Sequence, residues 1–153
     1  MGIKYFEDIK DGDLLSCQPV EMTKEAIMDF AERFDPLPFH TDEKAAGSSI
    51  FKGIVASSLH TLSACTRSVV EAQGQVAILS GVGIHEVGMF NPVRPGDTLT
   101  VKAWWTDMKR SASKPDRGFA SIRCMVSNQK SEPVIEYGYR YLLACKGFKK
   151  EGV

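Results

Sequence analysis

The chain has 153 residues, 43% of them hydrophobic and 25% charged, which predicts one domain over residues 1–153 with a substantial hydrophobic core. Basic and acidic residues each number 19, so the formal net charge is zero and nothing in the composition indicates nucleic-acid binding. No apolar run is long enough to span a membrane, and no apolar signal-peptide segment lies near the start. We therefore expect a cytoplasmic protein without a membrane or nucleic-acid partner.

The first half of the chain carries helical patterns. After a short predicted strand at about 14–22, the segment TKEAIMDFAERF places apolar residues at the spacing of an amphipathic helix. Thr23 is its predicted N-cap, and Pro36 forces it to end at about Phe34. The segment TDEKAAGS predicts a short helix capped by Thr41.

A glycine-marked loop, IFKGIV, then leads into the longest predicted helix, at about 57–73. This helix is unusually rich in small residues, which let a helix approach a sheet closely. We therefore expect a central helix that is wrapped by strands.

The second half of the chain is typical of antiparallel strands. Segments 75–90, 98–109, 117–128 and 132–146 are rich in β-branched and aromatic residues and are separated by strong turn signals. The predicted class is α+β: a hotdog fold, in which a long helix is wrapped by a twisted antiparallel sheet of about five strands. The second face and the edges of such a sheet need cover, and this requirement favours a homodimer or a dimer of dimers.

The segment FDPLPFHTD, residues 34–42, holds the main candidate for chemistry. Asp35 follows the predicted helix at the negative end of its dipole, where an anion is disfavoured, and His40 follows after two prolines. A carboxylate and an imidazole on a stiff loop can share a water molecule for general acid–base chemistry. The structural alternatives are an Asp-Pro turn and a histidine that caps the following turn.

The start of the long helix offers a second element of a site. Backbone N–H groups at Ser57 and Ser58 can stabilise a carbonyl oxygen that gains negative charge, although ordinary N-capping by serine explains the same residues. His60 is interpreted as a packed or interface histidine and His85 as structural. Seven basic residues are candidate phosphate contacts or solvated charges: Lys52, Arg67, Arg94, Lys109, Arg110, Lys114 and Arg117.

The four cysteines do not form a metal-binding or redox motif. They are Cys17, Cys65, Cys124 and Cys145, and no pair has the CxxC spacing. We expect free, buried thiols and no metal site.

The stretch FDPLPFHTDEKAAGSSIFKGIVASSLHT resembles the hydratase motif of MaoC-like dehydratases and (R)-specific enoyl-CoA hydratases. The family pattern is an aspartate, any residue, asparagine, proline, any residue and histidine, followed by an aspartate, an alanine-rich turn and a phenylalanine. The matching positions are Asp35, Pro38, His40, Asp42, Ala45 and Phe51. The later stretches NPVRPGDTLTVKAWW and SASKPDRGFASIRCMVSNQ are also similar to this family, so the resemblance spans roughly residues 10–146.

The resemblance implies a hotdog homodimer that catalyses the reversible syn addition of water to a trans-2-enoyl thioester. Asp35 and His40 would hold and activate the water, and the backbone N–H of Ser58 would bind the thioester oxygen. The thioester would be carried by CoA or by an acyl-carrier protein as the substrate, with no separate cofactor. Leu37, Phe39, Phe51, Met89 and Trp104 are the bulky residues expected to limit the acyl group.

Three positions depart from the family pattern. Leu37 stands where the family has asparagine, Phe34 where it has glycine, and the pair Ser57-Ser58 where it has histidine-glycine. One alternative is therefore an acyl-CoA-binding subunit without catalytic activity. A hotdog thioesterase is a further alternative, but it needs a carboxylate on the long helix, where the sequence offers only Glu71.

Overall fold

The computed structural model describes residues 2–149 of the chain. Its helices are α1 (Lys24–Phe34), α2 (Pro38–Thr41), α3 (Glu43–Ser48) and α4 (Ser58–Gln73). Its strands are β1 (Leu14–Leu15), β2 (Val20–Met22), β3 (Ile78–Met89), β4 (Asp97–Arg110), β5 (Arg117–Ser127) and β6 (Pro133–Ala144). The predicted strand at 14–22 is thus two short strands, which both pair with β4.

The ends of helix α1 follow the local sequence signals. The Thr23 hydroxyl accepts a hydrogen bond from the Ala26 N–H at 3.2 Å, and α1 ends at Phe34, directly before Asp35-Pro36. The predicted N-cap of the next helix, Thr41, was wrong. Thr41 ends the one-turn helix α2, and it is the Asp42 carboxylate that caps α3, by accepting from the Ala45 N–H at 2.6 Å.

Helix α4 packs against one face of the sheet. Thr61, Cys65, Ser68 and Val69 are buried on the helix side. The sheet contributes large buried side chains, among them Leu99, Trp105, Ile122, Tyr137 and Leu143. The small residues of α4 leave room for these larger ones, because two close-packed surfaces must be complementary in volume. The predicted α+β hotdog architecture is confirmed.

The described residues form one antiparallel sheet of six strands, where about five were predicted. The strand order is β1-β4-β5-β6-β3, with β2 paired to the other end of β4. Register shifts occur in β3 and β4, where Glu86 and Asp107 have positive φ angles of 49° and 54°. Such bulges increase the local twist and help the sheet curve around α4.

Strand β3 lies at one edge of the sheet and leaves a long row of apolar side chains exposed. Val82, Ile84, Val87 and Met89 are between 44% and 62% exposed. A long, apolar edge strand is a template for pairing with another chain. No helix within the described residues is long and apolar enough to cross a membrane.

Candidate active site

The Asp35 carboxylate is held at the junction between α1 and the one-turn helix α2. The Asp35 N–H donates to the Ala31 carbonyl at 2.9 Å, and Pro36 prevents α1 from continuing. Leu37 is extended, as expected for a residue before proline, and Pro38 opens α2 at a position where its missing N–H costs nothing. The two prolines thus turn the chain so that His40 faces back towards Asp35.

The His40 imidazole is buried, at 6% exposure, and its orientation is set by a main-chain contact. Its Nδ1 lies 2.6 Å from the Val55 carbonyl oxygen. Because a carbonyl oxygen can only accept, we assign the hydrogen to Nδ1, which leaves Nε2 with a lone pair in the neutral ring. Nε2 lies 3.5 Å from Oδ2 of Asp35, which is longer than a well-formed hydrogen bond.

Ser57 fixes the other side of the Asp35 carboxylate. Its hydroxyl, fully buried, donates to Oδ2 of Asp35 at 2.7 Å and accepts from the Leu59 N–H at 3.2 Å. The predicted capping of α4 by this serine is therefore confirmed. The hydroxyl of Ser57 is engaged with the carboxylate, so this side chain supports Asp35 and is not available to a ligand.

The backbone N–H of Ser58 is a free donor at the positive end of α4. Ser58 is the first residue of this 16-residue helix, where an N–H group has no partner within the helix. Among residues 2–149, this N–H donates no hydrogen bond to another group. Ser58 lines the same pocket as Asp35 and His40, so an oxygen atom bound there would meet both the N–H and the helix dipole.

A pocket of about 480 Å³ joins these groups. Eight of the nine residues proposed for the site from the sequence line it: Asp35, Leu37, Phe39, His40, Phe51, Ser57, Ser58 and Met89. Phe39 forms part of an aromatic wall, with its ring centroid 4.5 Å from that of His40 and 5.2 Å from that of Phe51. The pocket is thus mainly apolar and places a few polar groups at one point of its surface, as small-molecule sites do.

Trp104, His60 and His85 do not line this pocket. Met89 lines it, but the prediction for Trp104 was wrong: Trp105 points to the core, and Trp104 lies on the opposite face of β4. His60 stacks on Phe30 with ring centroids 4.8 Å apart, as a packed histidine, and burial lowers its pKa. His85 packs its ring over Gly138 on the outer face of the sheet.

The match to known proteins covers most of these elements. The family model of the MaoC-like domain matches residues 6–121, from before β1 to within β5. The chain belongs to the MaoC-like domain family. Within this family, a crystal structure of the MaoC-like dehydratase from Rhodospirillum rubrum is similar with a TM-score of 0.83 and 32% identity, over 95% of this chain and 99% of that chain.

The chain is also similar to two further proteins, one in sequence and one in fold. Protein MaoC from Klebsiella aerogenes is 34% identical over 100 residues, which are 65% of this chain and 30% of that protein. The (R)-hydratase PhaJ1 from Pseudomonas aeruginosa shares the fold, with a TM-score of 0.70 and 16% identity over 97% of this chain and 92% of that chain.

Sequence reasoning missed two groups that position the MaoC-like site. The Val55 carbonyl orients His40, and the Val55 N–H donates to the Phe39 carbonyl at 3.3 Å, so this loop is fastened to α2 at two points. The connection between β3 and β4 also contributes Phe90, Asn91 and Pro92 to the pocket. No periodicity marks these residues, because they act through main-chain atoms or lie in an irregular loop.

Proposed function

We propose that the protein catalyses the reversible hydration of a 2-enoyl thioester with Asp35 and His40 as the acid–base pair. The observation that carries this proposal is the geometry of His40: its Nδ1 lies 2.6 Å from the Val55 carbonyl oxygen, and its Nε2 lies 3.5 Å from Oδ2 of Asp35 in an apolar pocket. The MaoC-like dehydratase from R. rubrum, at 32% identity, supports the same reaction class.

In the hydration direction, a water molecule would bind to one side of His40 Nε2 and the Asp35 carboxylate, within hydrogen-bond distance of both groups. Nε2 takes one proton from this water while its oxygen forms the bond to C3 of the enoyl group. The electron pair of the C2–C3 double bond moves towards the thioester carbonyl, and C2 then receives a proton from the same Asp35–His40 pair. Donation and return from one side of the substrate give syn addition.

The Ser58 N–H would stabilise the negative charge that develops on the thioester oxygen. Its position at the first turn of α4 adds the helix dipole to the hydrogen bond. Leu37, Phe39 and Phe51 would contact the acyl group, because they form the apolar part of the same pocket. CoA and an acyl-carrier protein are both possible carriers of the thioester.

The test is hydration of but-2-enoyl-CoA, followed by the loss of absorbance of the conjugated enoyl thioester. Asp35→Asn and His40→Ala are each expected to lower kcat by about 10²–10⁴-fold, the usual contribution of a general acid or base. Circular dichroism and thermal unfolding must show that both variants fold. Near-wild-type hydration by both folded variants would refute the assignment of the pair.

A binding subunit without catalytic activity is the second candidate, because Leu37 replaces the asparagine of the family motif and lines the pocket with 47% exposure. It would bind acyl-CoA in calorimetry but turn over no enoyl or 3-hydroxyacyl thioester. A thioesterase is disfavoured, since Glu71 does not line the pocket and pairs with Arg67 at 2.9 Å on the surface of α4.

We also propose that the working unit is a homodimer formed through the edge of β3. Val82, Ile84 and Val87 are apolar and exposed on this strand, and Met89 at its end lines the pocket, so a partner there would cover the open side of the site. Light scattering after size exclusion should give twice the chain mass, and Ile84→Lys should shift it towards one chain. A monomeric wild type that hydrates enoyl thioesters would refute this arrangement.

A further inference from the structure

Two cations that have no carboxylate partner among residues 2–149 lie on loops next to the pocket. Arg94, in the connection before β4, donates from its guanidinium to the Phe51 carbonyl at 2.8 Å. Phe51 lines the pocket, so this contact brings the charge of Arg94 to the rim of the site. Lys52 follows Phe51 directly and is exposed. Gly53 is also close: a Cβ there would lie 3.7 Å from the Arg94 guanidinium.

Arg94 differs from most arginines of the described chain. Five others pair with a carboxylate within residues 2–149: Arg33, Arg67, Arg110, Arg117 and Arg123. Asp97, the acidic residue nearest in sequence, uses one oxygen for the Arg94 backbone N–H and the other for Gln129. The guanidinium therefore has no carboxylate partner in the described part of the chain, and most of its N–H donors are free.

Lys52 has a strained backbone and no ion pair among residues 2–149. Its φ angle is 58°, in the left-handed region that a residue with a Cβ adopts only at a cost. Backbone strain of this kind is typical of active sites and ligand-binding segments. Here the backbone N–H of Lys52 donates to the Ser49 carbonyl at 3.2 Å, so the strained turn is fixed beside Phe51.

We infer that Lys52 and Arg94 form a binding site for the phosphate groups of the thioester carrier. This inference rests on the proposed function, because it takes the acyl thioester to lie in the pocket and its carrier to leave past Phe51. Arginine and lysine are the usual ligands of phosphate oxygens, and an arginine without a carboxylate partner has its fork of donors free for them. The apolar pocket would hold the acyl group, and the two cations would bind the anionic end.

The test compares two but-2-enoyl thioesters that differ in phosphate: the CoA ester and the N-acetylcysteamine ester, which carries none. The double variant Lys52→Gln/Arg94→Gln keeps a polar side chain of similar shape at both positions. Glutamine, like lysine, has a Cβ, so the positive φ angle at position 52 costs both residues about the same. It should raise KM for the CoA ester by about 10–50-fold with little change in kcat, as expected for lost charge-assisted contacts at a partly exposed site. On the N-acetylcysteamine ester, kcat/KM should stay within about twofold.

Two variants serve as matched controls on other surfaces. Arg33→Gln removes an arginine paired with Asp29, and Lys102→Gln removes an exposed lysine on β4. Both should leave KM for the CoA ester unchanged. Higher salt should weaken CoA binding to the wild type more than to the double variant, because two attractive charges are screened in one case only.

Two further but-2-enoyl thioesters, those of dephospho-CoA and of 4′-phosphopantetheine, show which phosphate group is bound. If wild-type affinity for dephospho-CoA falls to that of the double variant for CoA, the contact is the 3′-phosphate. If a 4′-phosphopantetheine thioester retains the affinity, the single phosphate that CoA shares with carrier proteins is sufficient. Either result supports the phosphate site.

Two results would overturn the inference. An unchanged KM for the CoA ester would show that the cations do not contact the carrier. Equal losses on both thioesters would show that Arg94 only holds the Phe51 loop. If the wild type hydrates neither ester, the proposed reaction fails, and calorimetry with CoA still decides the site: binding must weaken in the double variant and not in the controls.

Discussion

Removing the Ser57 hydroxyl is the sharpest single perturbation of this site. Ser57→Ala deletes the donor to Asp35 at 2.7 Å and the acceptor of the Leu59 N–H at 3.2 Å. A lost N-cap costs about 1 kcal/mol of folding free energy, and a hydrogen bond to a charged group about 1.5–3 kcal/mol. Asp35 is 26% exposed in its side chain, so water can replace part of the second contact. We expect a loss of about 1.5–2.5 kcal/mol.

The effect on turnover follows from geometry. Without Ser57, the Asp35 carboxylate loses the contact that fixes it relative to His40, and misplacing a catalytic group by about 1 Å can cost about 10²-fold in rate. We expect kcat for but-2-enoyl-CoA to fall by about 10–100-fold, with KM much less affected. Urea unfolding gives the stability change, and the absorbance assay gives the rate.

Ser63→Ala is the matched control for this experiment. Ser63 also lies on α4, but its hydroxyl is exposed and donates to the Leu59 carbonyl at 2.8 Å, away from Asp35. This variant should keep wild-type turnover and lose little stability. If Ser57→Ala is less stable but turns over at the wild-type rate, the serine acts only as a helix cap, and the argument that it positions Asp35 is refuted.

Three further predictions follow from buried groups. Burial lowers the pKa of His60, so the unfolded state binds its proton first as pH falls below about 6.5. The free energy of unfolding of the wild type should therefore fall more between pH 7 and 5 than that of His60→Gln. An equal dependence of both free energies on pH would contradict this. Burial raises the pKa of Cys65 and of Cys124 to about 12, so at pH 8 only roughly one thiol in 10⁴ is ionised and both should react with iodoacetamide only after denaturation. A Cβ at Gly138 would lie 2.2 Å from the His85 ring, so Gly138→Ala should cost about 1–3 kcal/mol, and His85→Ala in the same chain should recover most of it in a urea-unfolding double-mutant cycle. Additive losses would show that the ring is not the obstacle.

Much of the fold could be predicted because its signals are local. The apolar spacing of α1, the Thr23 cap and the stop at Asp35-Pro36 all depend on residues within one or two helical turns. The four long strands were recognisable from β-branched and aromatic residues between turn signals. It was less certain which side chains of each strand face the core. Of two adjacent tryptophans, Trp105 is 3% exposed and Trp104 lies on the other face. Only the packing of the sheet against α4 decides between them.

The sequence by itself determined that Asp35 and His40 share one short, proline-braced segment and that an apolar, small-residue helix follows. Tertiary structure decided how these groups meet. The bonds from His40 to Val55, from Ser57 to Asp35 and from Arg94 to Phe51 join residues 15, 22 and 43 positions apart. Contacts at such separations depend on how loops close over the sheet, and no local periodicity encodes that closure. The contact that orients His40, the anchoring of Asp35 and the contact between Arg94 and Phe51 therefore became visible only in the folded chain.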